Sequence, residues 1–403
     1  MLASPVTAPP GPTRQARLAR AAVAAVFLTN GALFANVVPR YPQIKAELGV
    51  SNALLGTALA AMPLGALLAG LFGAAAIRRF GSARVAAFGI VLLAAMTLTI
   101  PVAPNWVVFA AALGLIGALD AVIDVAQNAH GLRVQRLYRR SIVNSFHGLW
   151  SVGAVLGGLM GSAAAGLRLP LSLHLAISAL LFSAVALVAF RFLLPGSEDA
   201  ERSVVPDDAP VATAGRRAVS RAAIGMLAAL GVLAACGALV EDAGASWGAL
   251  YLSDNLHATA ATAGLAFVAL QVAMTAGRLT GDRVVDRFGQ RTVVRSGGIL
   301  AAVGMGVALA VPSVPATLAG YAAAGLGVAT LVPAAMHTAD ELPGLSAGTG
   351  LTIVSWLLRG GFLLSPPLVG VIADHSSLRV GLLTVVLAGT VTAVLARVLV
   401  NRA

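Results

Sequence analysis

Gly281-Asp282-Arg283-Val284-Val285-Asp286-Arg287-Phe288-Gly289-Gln290-Arg291 interrupts a long apolar region, and an echo stands 208 residues earlier, where Gly73 to Ala83 reads GAAAIRRFGSA. At that offset Gly56, Gly73, Arg79, Phe80 and Gly81 coincide with Gly264, Gly281, Arg287, Phe288 and Gly289. Repetition with the basic turn at the same place in each copy predicts a chain built as two similar halves. The one long polar stretch, 195–220, lies between the copies and predicts a linker. It divides the chain into bundles at 21–194 and 221–403, with 1–20 expected to be a disordered tail.

Outward from the two basic turns, apolar blocks recur at a length of about 20 residues, enough to cross a hydrocarbon layer roughly 30 Å thick. They predict helices at 19–41, 52–77, 84–103, 106–130, 141–166, 170–194, 222–252, 259–282, 292–311, 315–338, 347–373 and 377–399. The fold class is therefore an all-α membrane protein with twelve transmembrane helices, six in each half. Composition agrees, since 58% of the 403 residues are hydrophobic and only 11% charged. That is too little charge to cover a soluble surface of this size. Cys236 is the single cysteine, which excludes a disulfide or a cysteine metal site within one chain.

The net charge of +11 rests almost wholly on arginine, with Lys45 the only lysine. These arginines sit in short loops between apolar blocks, not on one basic face, which argues against nucleic acid. With the N-terminus inside, 22 basic residues fall on the cytoplasmic side and only Arg40, Lys45, Arg168 and Arg379 outside. By the positive-inside rule both termini are cytoplasmic. The Arg-, Ala- and Gly-rich usage points to a bacterial cytoplasmic (inner) membrane.

The stretch Gly281 to Arg291 resembles the cytoplasmic loop signature of the major facilitator superfamily. Gly281, Asp282, Arg283, Asp286, Arg287, Gly289 and Arg291 carry the likeness, and Arg79 and Gly81 are their first-half counterparts. The first copy departs by holding Arg78 where an Asp is usual, so only the second keeps the acids for a gating salt bridge. Asp124 to Asn128 (DVAQN), Ser145 to Ser151 (SFHGLWS) and Glu241 to Trp247 (EDAGASW) are similar to bacterial permeases near the fucose permease-like group. The resemblance covers the chain from about residue 21. It implies two six-helix bundles related by a pseudo-two-fold axis along the membrane normal, with a solute site between them. It also implies a monomer, driven by a proton gradient and needing no other cofactor.

A charge at the centre of a membrane helix costs several kcal/mol, so such residues belong in a polar cleft. Asp120, Asp124, Glu241, Asp242 and Arg359 are so placed. Asp120, Asp124 and Asn128 are four apart and share one face of the fourth helix. His147 on the fifth reaches a similar depth, with Asn144 one turn nearer the cytoplasm, and the group forms a polar cluster. Desolvation favours the protonated form of a carboxylate and a nearby cation the ionised form, the property a proton carrier needs. Asp124, Glu241, Asp120 and His147 are the proton-coupling candidates; the competing reading is a structural network tying helices four and five.

Glu241 and Asp242 point about 100° apart on a helix. One faces the solute path and the other a neighbouring helix or outer water, and the resemblance favours Glu241 for the path. Should helix seven break near Gly244, both lie in an outer vestibule. Arg359, beside Trp356 in mid-helix, stays charged and needs a carboxylate partner, such as Glu241, or an anionic solute. Asn30, Asn128, Asn144, Trp247, Gln271, Asp242 and Trp356 complete the substrate-contact candidates, and each is also ordinary for helix packing. Gly153, Gly157 and Gly161 have the spacing of close-packing residues. Gly153 to Gly158 also resembles the exporter motif of drug:proton antiporters, with Ala154 in place of its proline.

The function expected is proton-coupled transport of a small organic solute by alternating access, with export preferred. Uptake of a sugar-like or carboxylated nutrient and a transport-dead membrane sensor are the alternatives. Catalysis finds little support. Gly244 to Gly248 (GASWG) has the spacing of a hydrolase nucleophile elbow, which a membrane helix cannot fold into. Gly325-Leu326-Gly327 follows no strand, and the six histidines show no metal-ligand spacing. The partners implied are the solute, protons and the lipid bilayer.

Overall fold

The computed structural model describes residues 13–138, 142–196, 198, 221–342 and 349–399, and no strand occurs among them. Twelve helices are long and apolar enough to cross a membrane. They are α1 (Arg14–Leu48), α2 (Asn52–Phe80), α3 (Ser82–Val102), α4 (Trp106–Tyr138), α5 (Ser145–Gly166), α6 (Leu171–Phe190), α7 (Ala223–Asn255), α8 (Ala260–Phe288), α9 (Gln290–Ala310), α10 (Val314–Asp340), α11 (Thr349–His375) and α12 (Leu378–Val398). Large apolar side chains such as Leu180, Leu364 and Leu387 stand exposed. Only a hydrocarbon solvent makes that arrangement stable, because apolar faces all round a helix have no place in water.

Several helices run past the apolar blocks that announce them. Thr13 caps α1 by accepting from the Ala16 amide, so Arg14, Arg17 and Arg20 ride its first turns and do not form a tail. Residues 1–12 lie outside the described residues. The α4 helix continues to Tyr138, and α8 to Phe288. The signature stretch is therefore two helical turns, with only Gly289 as the bend. Hydrocarbon thickness limits where apolar residues are needed, while continued helix still satisfies each backbone group beyond the bilayer. The α7 helix passes unbroken through Gly244 and ends in a π-turn at Tyr251–Asn255. The linker beyond 198 and the segment 343–348 fall outside the described residues.

The repeat is structural as well as textual. Gly81 (φ 82°, ψ 145°) and Gly289 (φ 79°, ψ 146°) turn the chain identically between helices, in a region that only glycine enters freely. Arg79 lies over the Phe80 ring and Arg287 over the Phe288 ring. Gly73 packs on Val125 of α4, as Gly281 packs on Thr330 of α10.

Within the first half, α1 and α5 meet backbone to backbone. A Cβ on Gly153, Gly157 or Gly161 would collide with the carbonyl of Leu28, Ala32 or Asn36 respectively. Four-residue steps on both helices produce this, as in small-residue membrane interfaces. The halves meet through α2 against α11 and α5 against α8. At the end away from the arginine-rich turns, the Asp374 carboxylate on α11 accepts from the Asn52 and Ala53 amides of α2 at 2.9 and 2.8 Å. An anion from one half thus caps a helix N-terminus of the other. Lys45 pairs with Asp254 at 3.4 Å nearby, and Gly56 lies against the Pro366 carbonyl. Towards the arginine-rich end this contact is lost. Gly70, about four turns along the Gly56 face, has open space beside it, and Arg359, two turns before Pro366 on α11, is exposed. The cleft between the halves is sealed at one end and parts between α2 and α11 at the other, where Gly148 of α5 still lies near Leu279 of α8.

Gly157→Val should overpack the α1–α5 contact by about 1–3 kcal/mol and lower the melting midpoint in detergent, whereas Gly306→Ala, with open space at that position, should not. Asp374→Ala should loosen the sealed end. A thiol introduced as Ala53→Cys is then expected to react faster with an impermeant maleimide than in the parent, and an unchanged rate would count against the cap.

Candidate solute site between the halves

A cavity of about 250 Å³ lies between the bundles, bounded by Phe34 and Tyr41 of α1, Met62 of α2, Asp120 of α4 and Trp150 of α5 from one side. Glu241, Asp242 and Ser246 of α7, Phe267 and Gln271 of α8 and Phe362 of α11 close it from the other. A larger cavity of about 1290 Å³ lies among Arg14, Arg78, Arg84 and Arg191. It is walled by the first half and by Pro195, Gly196 and Glu198 of the linker, so it is not a site that both halves share.

In the first half the polar residues form two separate tiers. Asn30, buried on α1, donates to Asp120 at 2.9 Å and accepts from the Trp150 indole at 2.8 Å, joining three helices through one amide. One turn nearer the arginine-rich end, Asn128 and Gln127 donate to Asp124 at 3.0 and 3.1 Å, and His147 meets the Asn128 oxygen at 3.1 Å. Asp124 and His147 are exposed towards the open cleft. The side chain of Asn144 lies outside the described residues.

The second half changes several expectations. Glu241 and Asp242 both line the cavity, because α7 runs along its wall and residues 100° apart border it from two sides. Ser246 donates to Asp242 Oδ1 at 2.9 Å, and the Ser365 hydroxyl also reaches this carboxylate. Glu241 pairs with Arg278 of α8 at 3.3 Å, not with Arg359. The preceding turn of α8 brings Arg278 to it, whereas Arg359 sits on another helix and has no ion pair among the described residues. Spacing puts Arg359 on the face of α11 that holds Phe362 and Pro366, so it looks towards the cleft and not the lipid. Trp247 is fully buried in the core and does not line the cavity, and Trp356 is exposed and off the cavity. Asp282, Arg283, Asp286 and Arg287 are exposed and share no ion pair among the described residues. Arg291 instead donates to the Leu399 carbonyl.

Phe34, Tyr41, Trp150, Phe267 and Phe362 escaped a reading directed at charge. Their signal was periodic: Asn30, Phe34 and Tyr41 share a face of α1, and Trp150 follows His147 by one turn. Glu198 was likewise unforeseen. It accepts from the Ser82 amide at 2.7 Å and lies 3.6 Å from Arg133, an acid supplied from the linker beside the first basic turn.

Against this geometry, the model of the Major Facilitator Superfamily matches residues 23–251 and 235–403, both halves of the chain. The chain belongs to the major facilitator superfamily. This facilitator is 32% identical over 377 residues to the membrane protein MosC of Rhizobium meliloti, covering 94% of this chain and 89% of that one. An uncharacterised MFS-type transporter of Yersinia pestis is 30% identical over 357 residues, with 88% of each chain covered. A bacterial homologue of the human lysosomal transporter Spinster, in an inward-facing and occupied conformation, superposes with a TM-score of 0.73 at 15% identity, over 96% of this chain and 97% of that one. A mutant of the nucleoside transporter NupG gives 0.73 at 13% identity, over 94% and 98%. Those structures share the fold, twelve helices in two bundles. This facilitator is a multi-pass membrane transporter and not an enzyme.

Removing the Asn30 amide strands both Asp120 and the Trp150 N–H. Asn30→Leu is expected to lower stability by roughly 1–3 kcal/mol, read as a depressed melting midpoint. Glu241→Gln, which touches a partly exposed pair, should cost under about 1 kcal/mol.

Proposed function

We propose that the protein is a proton-coupled secondary transporter of a small organic solute, working as a monomer by alternating access and exporting its solute against protons. One observation carries this reading. Asp120 from one half and Asp242 from the other line a single cavity, and no arginine, lysine or histidine lines it with them. Each half thereby contributes a group whose charge must be neutralised before the cleft can close around it. Protonation supplies a differential interaction between the two states, without which a gradient biases nothing. Asp124 and His147, in the open mouth, suit proton delivery from that side.

Arginine bias makes the open end cytoplasmic and the Asp374 seal the outer end, in a bacterial inner membrane with both termini inside. Arg359 favours one second reading, uptake of a carboxylated nutrient, because it faces the cleft unpaired. Energy then comes from the proton gradient in either direction.

Accessibility of Ala53→Cys at the sealed end tests the coupling without a known solute. Its labelling rate, divided by that of a free thiol at the same pH because maleimides attack the thiolate, should differ between mildly acidic and mildly alkaline buffer, and the double variant Asp120→Asn, Asp242→Asn should abolish that difference. A pH-independent ratio in the parent, or a difference in the ratio surviving in the double variant, refutes the assignment of these acids as proton carriers.

A further inference from the structure

We infer that the cavity binds an organic monocation carrying an apolar ring and a hydrogen-bond acceptor, with its charge between Asp120 and Asp242. The inference rests on reading this cavity as the solute site and adds the chemistry that the site selects.

Three carboxylates border the cavity, and the charge of Glu241 is already met by Arg278. Asp120 and Asp242 have no cationic partner among the described residues. Asp120 receives one amide hydrogen bond from Asn30, and Asp242 is met by neutral hydroxyls alone, those of Ser246 and Ser365. In a site walled by apolar side chains, a carboxylate so poorly solvated requires a proton or a positive partner. Aromatic faces provide the second half of a cation site. Phe34 and Trp150 stand with ring centroids 6.1 Å apart and planes inclined by 27°, and Phe267 and Phe362 close the opposite wall. Such faces attract a cation and bury a ring with it. The third observation is Gln271, only 2% exposed, which lines the same cavity with its Nε2 lacking any acceptor. A buried amide donor left unmet is costly, and an acceptor oxygen on the solute would complete it. Arg359 lies outside the lining, towards the open end, so it does not neutralise these acids.

Protonation and cation binding are then alternatives at the same two acids. A site built this way exchanges a cation for a proton, because each occupant displaces the other.

Three ligands of one size separate charge from shape: tyramine, its neutral counterpart tyrosol, and the anion para-hydroxyphenylacetate. Binding to the full chain in detergent would be measured by titration calorimetry. Tyramine is expected to bind at least about tenfold more tightly than either counterpart, and more weakly in acidic buffer. Asp242→Asn should erase the preference for charge, and Gln271→Leu should weaken tyramine and tyrosol alike. Equal or tighter binding of tyrosol or of the anion, or no binding of tyramine at millimolar concentration, overturns the inference. If Asp242→Asn does not fold, the order of the three ligands on the parent protein decides alone. Equilibrium binding needs no gradient, so this result stands apart from the labelling test of proton coupling.

Discussion

The cost of an uncompensated charge in hydrocarbon organises this molecule. Bilayer lipid offers ionised groups neither water nor counterions, so every charge is driven to an end, to a partner or into the cleft. Arginines gather beyond the apolar length of each helix, where they add turns to α1, α4 and α8 instead of forming loose segments. Lys45 and Asp254 meet at the far end. Asp120 and Asp242 remain, and the cleft between the bundles is the place that accepts them.

Holding those acids in position depends on how closely the helices approach. Gly153, Gly157 and Gly161 let α5 lie on the α1 backbone, and that approach sets the Trp150 indole and the Asp120 carboxylate on opposite sides of one Asn30 amide. The same economy of side-chain volume recurs between the halves, where Gly56 meets Pro366 and Gly264 meets Ser162 and Pro39. These two glycines occupy equivalent places in the repeat. Small residues therefore govern both the geometry inside a bundle and the close contact between bundles.

The fold could be read from the chain because apolar block length and arginine placement are strong local signals. Helix ends were harder, since nothing in hydropathy distinguishes a helix that stops at the bilayer from one that continues as α8 does through Arg283 and Arg287. Buried acids announced the site, because Asp120 and Asp242 violate the local solvent. Their partners were hidden. Whether Glu241 meets Arg278 or Arg359 depends on which helix lies beside α7, a tertiary fact that spacing within α7 does not contain. Aromatic residues of the cavity carried no violation at all, as Phe34 and Phe267 suit lipid, core and ligand equally.

The asymmetry between the two ends has a consequence for the working cycle. At the sealed end the polar contacts joining the halves are few, one carboxylate on two amides and one lysine pair, both reachable by water, and they stand beside the close packing of Gly56 on Pro366. Their breakage is inexpensive, because water replaces what is lost. At the open end, Asp286 and Arg287 of one half and Arg78 and Arg79 of the other stand exposed, with no ion pair among the described residues joining Asp286 to the first-half arginines. Closing that end would bring an acid of the second half towards a first half that carries Arg78 at the place equivalent to Asp286. The broken symmetry of the signature thus leaves one attractive pairing available at that end, Asp286 with the first-half arginines.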